Sequence, residues 1–115
     1  MTDRIREFLR TRSEDGPVLV VADLRLDPQR RRCERGEREI ELTKTEFDLL
    51  QLLMEHPGIV LTRDRIYERI WGYEFETSSK SLDVYVGYLR RKTEEAGEPR
   101  LIHTVRGVGY TVRAP

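Results

Sequence analysis

Apolar and polar residues alternate in short runs through the first third of the chain, from Val18 to Leu42. A period of two is typical of strands, and turn residues such as Asp27-Pro28 and Gly36 separate the runs. The connections are too short to hold crossover helices, so neighbouring strands should be antiparallel. This part of the chain predicts a four-stranded antiparallel sheet, with strands at residues 18–21, 24–26, 31–34 and 39–42.

The middle of the chain changes to helical spacing and carries start and stop signals. Thr43 and Glu46 form the capping-box pattern at the start of one helix, which ends at His56-Pro57-Gly58. Thr62 is a candidate N-cap for a second helix, which Gly72 ends. A third helix is predicted from Lys80 to about Thr93, after a loop from Tyr73 to Ser79.

The two ends of the chain carry weaker patterns. Residues 101–112 predict a two-stranded hairpin that turns at Gly107-Val108-Gly109. Residues 4–12 predict a short helix, and a polar stretch with Gly16 and Pro17 follows it. A length of 115 residues suits a single hydrophobic core. We therefore expect residues 1–16 to be a linker and residues 17–115 to form one domain.

The composition excludes several classes of function. The longest apolar run, residues 18–22, is too short to span a bilayer, so we expect a cytoplasmic protein without membrane contact. One cysteine and two histidines give no zinc spacing, so neither a metal nor a cofactor is expected. Acidic residues and histidines show no dyad or triad spacing, which argues against an enzyme. Cys33 is interpreted as a half-buried strand residue and not as a nucleophile.

The charge of the chain is balanced overall but unevenly distributed. The 21 basic and 21 acidic residues cancel, which argues against nucleic-acid binding through bulk positive charge. From Ser79 to Lys92, however, four basic residues face one acid, and from Arg100 to Arg113 three basic residues face none. The third helix and the hairpin are therefore two basic elements on a more acidic background.

The third helix has two faces of different character. Leu82, Tyr85, Val86 and Leu89 form an ordinary core-facing stripe. A glycine inside a helix costs about 1 kcal/mol relative to alanine, and exposed valine and tyrosine gain little in water. A helix in the major groove of DNA would use such residues, because small side chains permit close approach, valine contacts a thymine methyl and basic side chains reach phosphates. A mixed surface without a ligand remains the alternative. The outward face consists of Lys80, Ser81, Val84, Gly87, Tyr88 and Arg91.

The hairpin offers a second candidate contact. Arg106 immediately precedes Gly107 at the predicted tip, where an arginine suits a narrow minor groove. A surface arginine beside a turn is also commonplace. The Gly-Val-Gly sequence is not interpreted as a phosphate-binding loop, because it lacks the downstream glycine and helix of such loops.

Residues 17–114 resemble the effector domain of OmpR/PhoB-type response regulators, an α+β winged helix-turn-helix with an N-terminal four-stranded antiparallel sheet, three helices and a C-terminal β-hairpin wing. Four motifs in the family's order carry the resemblance. They are Leu42-Thr43-Lys44-Thr45-Glu46-Phe47-Asp48-Leu49-Leu50, Arg65-Ile66-Tyr67-Glu68-Arg69-Ile70-Trp71-Gly72, Ser81-Leu82-Asp83-Val84-Tyr85-Val86-Gly87-Tyr88-Leu89-Arg90-Arg91-Lys92 and Ile102-His103-Thr104-Val105-Arg106-Gly107-Val108-Gly109-Tyr110.

The resemblance implies sequence-specific binding of double-stranded DNA and regulation of transcription within a two-component system. The third helix would enter the major groove, Thr104 would lie near a phosphate and Arg106 would reach the minor groove. Gly87 departs from the basic residue that family members often carry there, so base recognition is expected to differ. A winged-helix module that binds protein instead of DNA is the alternative function.

The resemblance also implies partners. A phosphorylated receiver domain normally precedes this module, and residues 4–12 are similar to the end of its last helix, which makes residues 1–16 a receiver-domain remnant. The domain is expected to be a monomer off DNA and to bind direct-repeat promoter sites as a head-to-tail pair. Its loop of Tyr73, Glu74, Phe75 and Glu76 would face RNA polymerase, with a purely structural loop as the alternative.

Overall fold

A computed structural model describes residues 18–72 and 81–115 of the chain. The helix predicted at residues 4–12, the expected linker at residues 1–16, Lys80, and the loop residues Tyr73, Glu74, Phe75 and Glu76 all lie outside the described residues.

The first part of the chain forms the predicted four-stranded antiparallel sheet. Its third strand begins one residue later than predicted, because Arg31 has a φ of 57° and belongs to the preceding turn. The Asp27 carboxylate stabilises that turn by accepting backbone N–H groups of Gln29 and Arg30 at 3.1 and 3.2 Å. The last strand ends at Ile40 and not at Leu42. In spatial order the strands are β1 (Leu19–Val21), β2 (Leu24–Asp27), β3 (Arg32–Arg35) and β4 (Arg38–Ile40).

Three helices follow, and the caps read from the sequence define two of their starts. The Thr43 hydroxyl accepts the Glu46 N–H at 3.2 Å while the Glu46 carboxylate accepts the Thr43 N–H at 2.9 Å, which confirms the capping box. The Thr62 hydroxyl accepts the Arg65 N–H in the same way, and Gly72, with a φ of 93°, ends that helix. The helices are α1 (Lys44–Met54), α2 (Arg63–Trp71) and α3 (Ser81–Thr93).

The predicted two-stranded hairpin wing is confirmed, and a short strand from before α2, which was not predicted, joins it to form a three-stranded sheet. The strand β5 (Leu61–Thr62) pairs with β7 (Gly109–Val112), which pairs in turn with β6 (Ile102–Val105). Gly109 was predicted to lie in the turn but begins β7. A Cβ at Gly109 would lie 2.9 Å from the Cα of Thr62 and would overlap the Leu61 carbonyl, so this close approach requires glycine.

One hydrophobic core joins the two sheets and the helices. Cys33 is 1% exposed, so the prediction of a half-buried residue was wrong. Burial, with a contribution from Glu34, raises the pKa of its thiol to about 12. Tyr67 in α2 is also buried, and its hydroxyl accepts the Leu82 N–H at 3.2 Å. Within the described ranges, no helix is long and apolar enough to cross a membrane.

Candidate nucleic-acid interface

The α3 helix has the two faces that its sequence predicts. Leu82, Val86 and Leu89 are buried in the core, whereas Val84 and Tyr88 on the other side are 46% and 43% exposed. Tyr85 is half-buried against the core. On the outward face, Ser81 is half-buried and both Gly87 and Arg91 are exposed. The described part of this face therefore presents two large side chains and one cation to solvent.

Gly87 is not required by packing against any of the described residues. Among them, a Cβ added at this position would meet nothing within 4 Å, and the φ of Gly87 lies outside the left-handed region. The glycine thus leaves an open, shallow place in the middle of the outward face of α3. Any benefit that offsets its low helix propensity must come from something outside the described residues.

A chain of aromatic rings connects Tyr88 with the core. The buried Tyr67 ring lies 5.2 Å from Trp71, Trp71 lies 5.8 Å from Tyr85, and Tyr85 meets Tyr88 edge-to-face at 5.8 Å. The guanidinium of Arg91 lies 5.7 Å from the centre of the Tyr88 ring. Contacts of this kind favour particular ring orientations. Tyr88 is therefore an exposed side chain whose ring is restrained by its contacts with Tyr85 and Arg91.

Arg90 joins α3 to the wing, a role that the sequence did not reveal. Its Nε donates to the Ile102 carbonyl at 3.0 Å and its Nη2 donates to the Thr104 hydroxyl at 2.6 Å. Burial and the positive charge of Arg100 lower the pKa of Arg90. The exposed Thr104, one of the two predicted wing residues, is thereby held beside the basic end of α3 by Arg90, which was not among the residues predicted for the outward face.

The Asp83 carboxylate makes a second connection between elements around α3. It accepts a hydrogen bond from Arg63 Nη1 at 2.6 Å and another from the Tyr110 hydroxyl. Burial and these contacts with Asp83 raise the pKa of Tyr110 to about 12. The first turns of α2 and α3 and the central wing strand β7 are therefore linked through one carboxylate. The sequence pattern gave no sign of this link, because its three members are far apart along the chain.

Arg106 lies where the hairpin pattern places it. It is exposed in the turn of residues 106–108 between β6 and β7, followed by Gly107 with a φ of 76°. The turn is closed by the Val108 N–H, which donates to the Val105 carbonyl at 2.9 Å. Within residues 18–72 and 81–115, neither Arg106 nor Arg91 is paired with a carboxylate, whereas Lys92 is paired with Glu46 and Arg100 with Glu94.

A helix pair whose second member presents an unusual outward face, together with a hairpin that pairs with the strand before α2, defines a winged helix-turn-helix domain. Residues 37–112 match the family described as transcriptional regulatory protein, C terminal. The chain belongs to this family, whose match covers most of its length.

The comparisons with individual proteins agree with this family. The response regulator MprA of Mycobacterium sp. (strain KMS) is 57% identical over 114 residues, which cover 96% of this chain and 50% of that protein. The chain thus spans about half the length of the curated relatives it matches.

Solved structures show the same fold. The RstA DNA-binding domain of Klebsiella pneumoniae, determined in complex with the RstA box, superposes with a TM-score of 0.76 at 30% identity and covers 85% of this chain and 98% of that one. The DNA-binding domain of CpxR from E. coli gives a TM-score of 0.74 at 34% identity, covering 86% of this chain and 98% of that one.

Proposed function

We propose that this chain binds double-stranded DNA at specific sequences and regulates transcription as the effector domain of a two-component response regulator, without catalysis. The observation that carries the proposal is the outward face of α3, where Gly87 and the exposed Val84, Tyr88 and Arg91 have no role in the packing of the core. Two similarities support it. The chain is similar to half of the response regulator MprA, and its structure is similar to the DNA-binding domains of RstA and CpxR.

Each part of the surface has a role in the proposal. The α3 helix enters the major groove, where Val84 contacts a thymine methyl and Tyr88 reaches base edges or phosphates. Ser81 and Arg91, together with Lys80 before the helix, bind backbone oxygens. Thr104 on the wing and Arg90 on α3 approach a phosphate together, since their hydrogen bond holds the hydroxyl and the guanidinium side by side. Arg106 enters the minor groove.

Selection from random duplex DNA, followed by affinity measurements across a range of salt concentrations, tests the proposal. We expect an enriched sequence and a steep loss of affinity with salt, because basic side chains that bind phosphates release counterions. The R91A/R106A double variant should flatten that salt dependence. The R25A/R32A variant is the matched control, since it removes two exposed arginines from the four-stranded sheet. Failure to enrich any sequence, with binding of a protein partner instead, would favour the interaction-module alternative.

The partners of the whole protein belong to the same proposal. We propose a receiver domain ahead of this module, binding to direct-repeat sites and, because DNA is the target, a cytoplasmic location. We further propose that Tyr73, Glu74, Phe75 and Glu76 contact RNA polymerase. Replacing these four residues with alanine should leave DNA affinity unchanged and reduce transcription in a reconstituted promoter assay. Unchanged transcription would favour a purely structural loop.

A further inference from the structure

Two arginines from the β3–β4 hairpin hold the C-terminal end of α3. Arg35 Nη1 donates to the Thr93 carbonyl at 2.9 Å, and Arg38 Nη2 approaches the carbonyls of Lys92 and Thr93 at 3.2 and 3.4 Å. The last carbonyls of a helix lack partners within the helix, and its C-terminus favours cations. The two guanidinium groups meet both requirements from a distant part of the chain.

The same arginines also bind the segment that connects α3 to the wing. Arg35 is fully buried and uses its other N–H groups on Asp23 at 2.7 Å and on the Pro99 carbonyl at 2.8 Å. Arg38 Nε and Nη2 both donate to Oε2 of Glu98, at 3.0 and 2.8 Å, and these hydrogen bonds lower the pKa of Glu98. Sheet, helix end and connecting segment are therefore fixed relative to one another.

A third contact restrains the last turn of α3 from the side of α1. Lys92 Nζ donates to the Glu46 carboxylate at 2.7 Å and to the Glu41 carbonyl at 3.1 Å. Burial alone would raise the pKa of Glu46, but the hydrogen bonds from Lys92 and Thr43 outweigh it and lower the pKa. The helix end thus accepts hydrogen bonds from two arginines of the sheet and forms an ion pair with the capping box of α1.

This restrained turn includes residues of the proposed DNA-binding face. Arg91 directly precedes Lys92, and its guanidinium lies over the ring of Tyr88 one turn earlier. Ser81 and Val84 lie at the other end of α3. A shift of the C-terminal end would therefore displace Arg91 and Tyr88 more than it displaces Ser81 and Val84.

We propose that Arg38 is a positioning residue for DNA binding, which fixes the C-terminal end of α3 so that Arg91 and Tyr88 lie at the correct distance from the DNA. This inference rests on the proposed function. Arginine suits the role because its planar group reaches a carboxylate and the helix carbonyls at the same time, whereas lysine offers a single charged centre.

The test compares R38A with R32A, using the duplex selected by the wild-type protein. Arg32 is also a strand arginine paired with a glutamate, Glu39, but it is not bonded to α3. Both variants lose one positive charge. We expect R38A to weaken binding about 5- to 10-fold, the size of coupling seen between residues of one hydrogen-bond network. R32A should weaken binding less than about 2-fold. Affinities are corrected for the folded fraction measured by circular dichroism at the assay temperature.

Double variants separate positioning from general destabilisation. If Arg38 acts through the end of α3, R38A should cost clearly less further affinity in an R91A background, where only Tyr88 remains to be positioned, than in a V84A background, where its full factor is expected because Val84 lies at the other end of the helix. R38K should restore part of the affinity, and it replaces R38A in both cycles if R38A does not fold. Equal factors in the two backgrounds, or equal effects of R38A and R32A, would overturn the proposal. A wild-type protein that enriches no duplex would instead reject the proposed function on which it rests.

Discussion

At the scale of a single residue, substitution of Arg106 tests whether the wing contacts DNA. Its side chain is exposed in the turn between β6 and β7 and therefore contributes little to the packing of the domain. We predict that R106A weakens binding to the selected site by about 1–3 kcal/mol, the range for a lost specific contact, with the melting temperature unchanged. R25A, which removes an exposed arginine from β2, is the control. An affinity unaffected at physiological salt would exclude a minor-groove role.

Substitution by alanine is expected to have opposite effects on stability at two glycines. Gly87 lies in α3 with open space around it, so G87A should stabilise the domain by about 0.5–1 kcal/mol through helix propensity. Gly109 touches the backbone of β5, so G109A should destabilise it by about 1–3 kcal/mol or more, as overpacking does. Urea unfolding of both variants measures the two effects. If G87A also lowers DNA affinity while it raises stability, the glycine serves close approach to DNA.

At the scale of the element, α3 must combine core packing with an outward surface. L89A should destabilise the domain by about 2–5 kcal/mol, as for other buried truncations, because Leu89 is fully buried. V84A, on the exposed face, should change stability by less than about 0.5 kcal/mol. DNA binding should fall in L89A only through unfolding and in V84A through altered base preference. A stable L89A protein that loses base preference would reverse the assignment of the two faces.

The elements that the sequence predicted well are those whose signals are local. The capping box of Thr43 and Glu46 spans four residues, and the stripe of Leu82, Val86 and Leu89 lies within one helix, so each is visible in a short window. The strand β5 has two residues and is stabilised only by pairing with β7, far along the chain. Likewise, nothing in the spacing of Arg38 or Arg90 indicates that their guanidinium groups bind α3 and the wing.

At the scale of the whole molecule, His103 makes stability depend on pH. Burial, followed by the positive charges of Arg113, Arg90 and Arg100, lowers its pKa below the usual 6.5. As pH falls below 6.5, the unfolded chain takes up a proton before the folded domain does, so the free energy of unfolding decreases until the folded-state pKa is reached. The contribution of His103 to the free energy of unfolding is fully restored when the pH rises above 6.5.

Urea unfolding of the wild type and of H103Q between pH 5 and about 7.5, the range in which histidine changes charge, isolates this contribution. The free energy of unfolding of the wild type, relative to that of H103Q, should fall toward acid pH, because only the wild type carries the histidine. A difference that is constant over this range would mean that His103 titrates alike in both states.

The assembly of the protein is predicted from the resemblance to OmpR/PhoB-type regulators. We expect a monomer in solution and two copies on DNA at half-sites about one helical turn apart, so that both α3 helices lie on one side of the duplex. Cooperativity should be about 1–2 kcal/mol, typical of coupling between sites, and moving one half-site by half a turn should abolish it. Sedimentation and band-shift titration measure these quantities. A tight dimer without DNA, or selection of an inverted repeat, would contradict this arrangement.

The pairing of β5 with β7 has a consequence for the order in which the domain folds. These strands lie on either side of α2 and α3 in sequence, so their backbone hydrogen bonds close a loop that contains both helices. Closing a long loop costs chain entropy before its contacts repay the cost, so such pairings form slowly. Opening them would release helices and wing as one cooperative unit. The outward surface formed by α3 and the wing is therefore complete only in molecules in which β5 and β7 have paired.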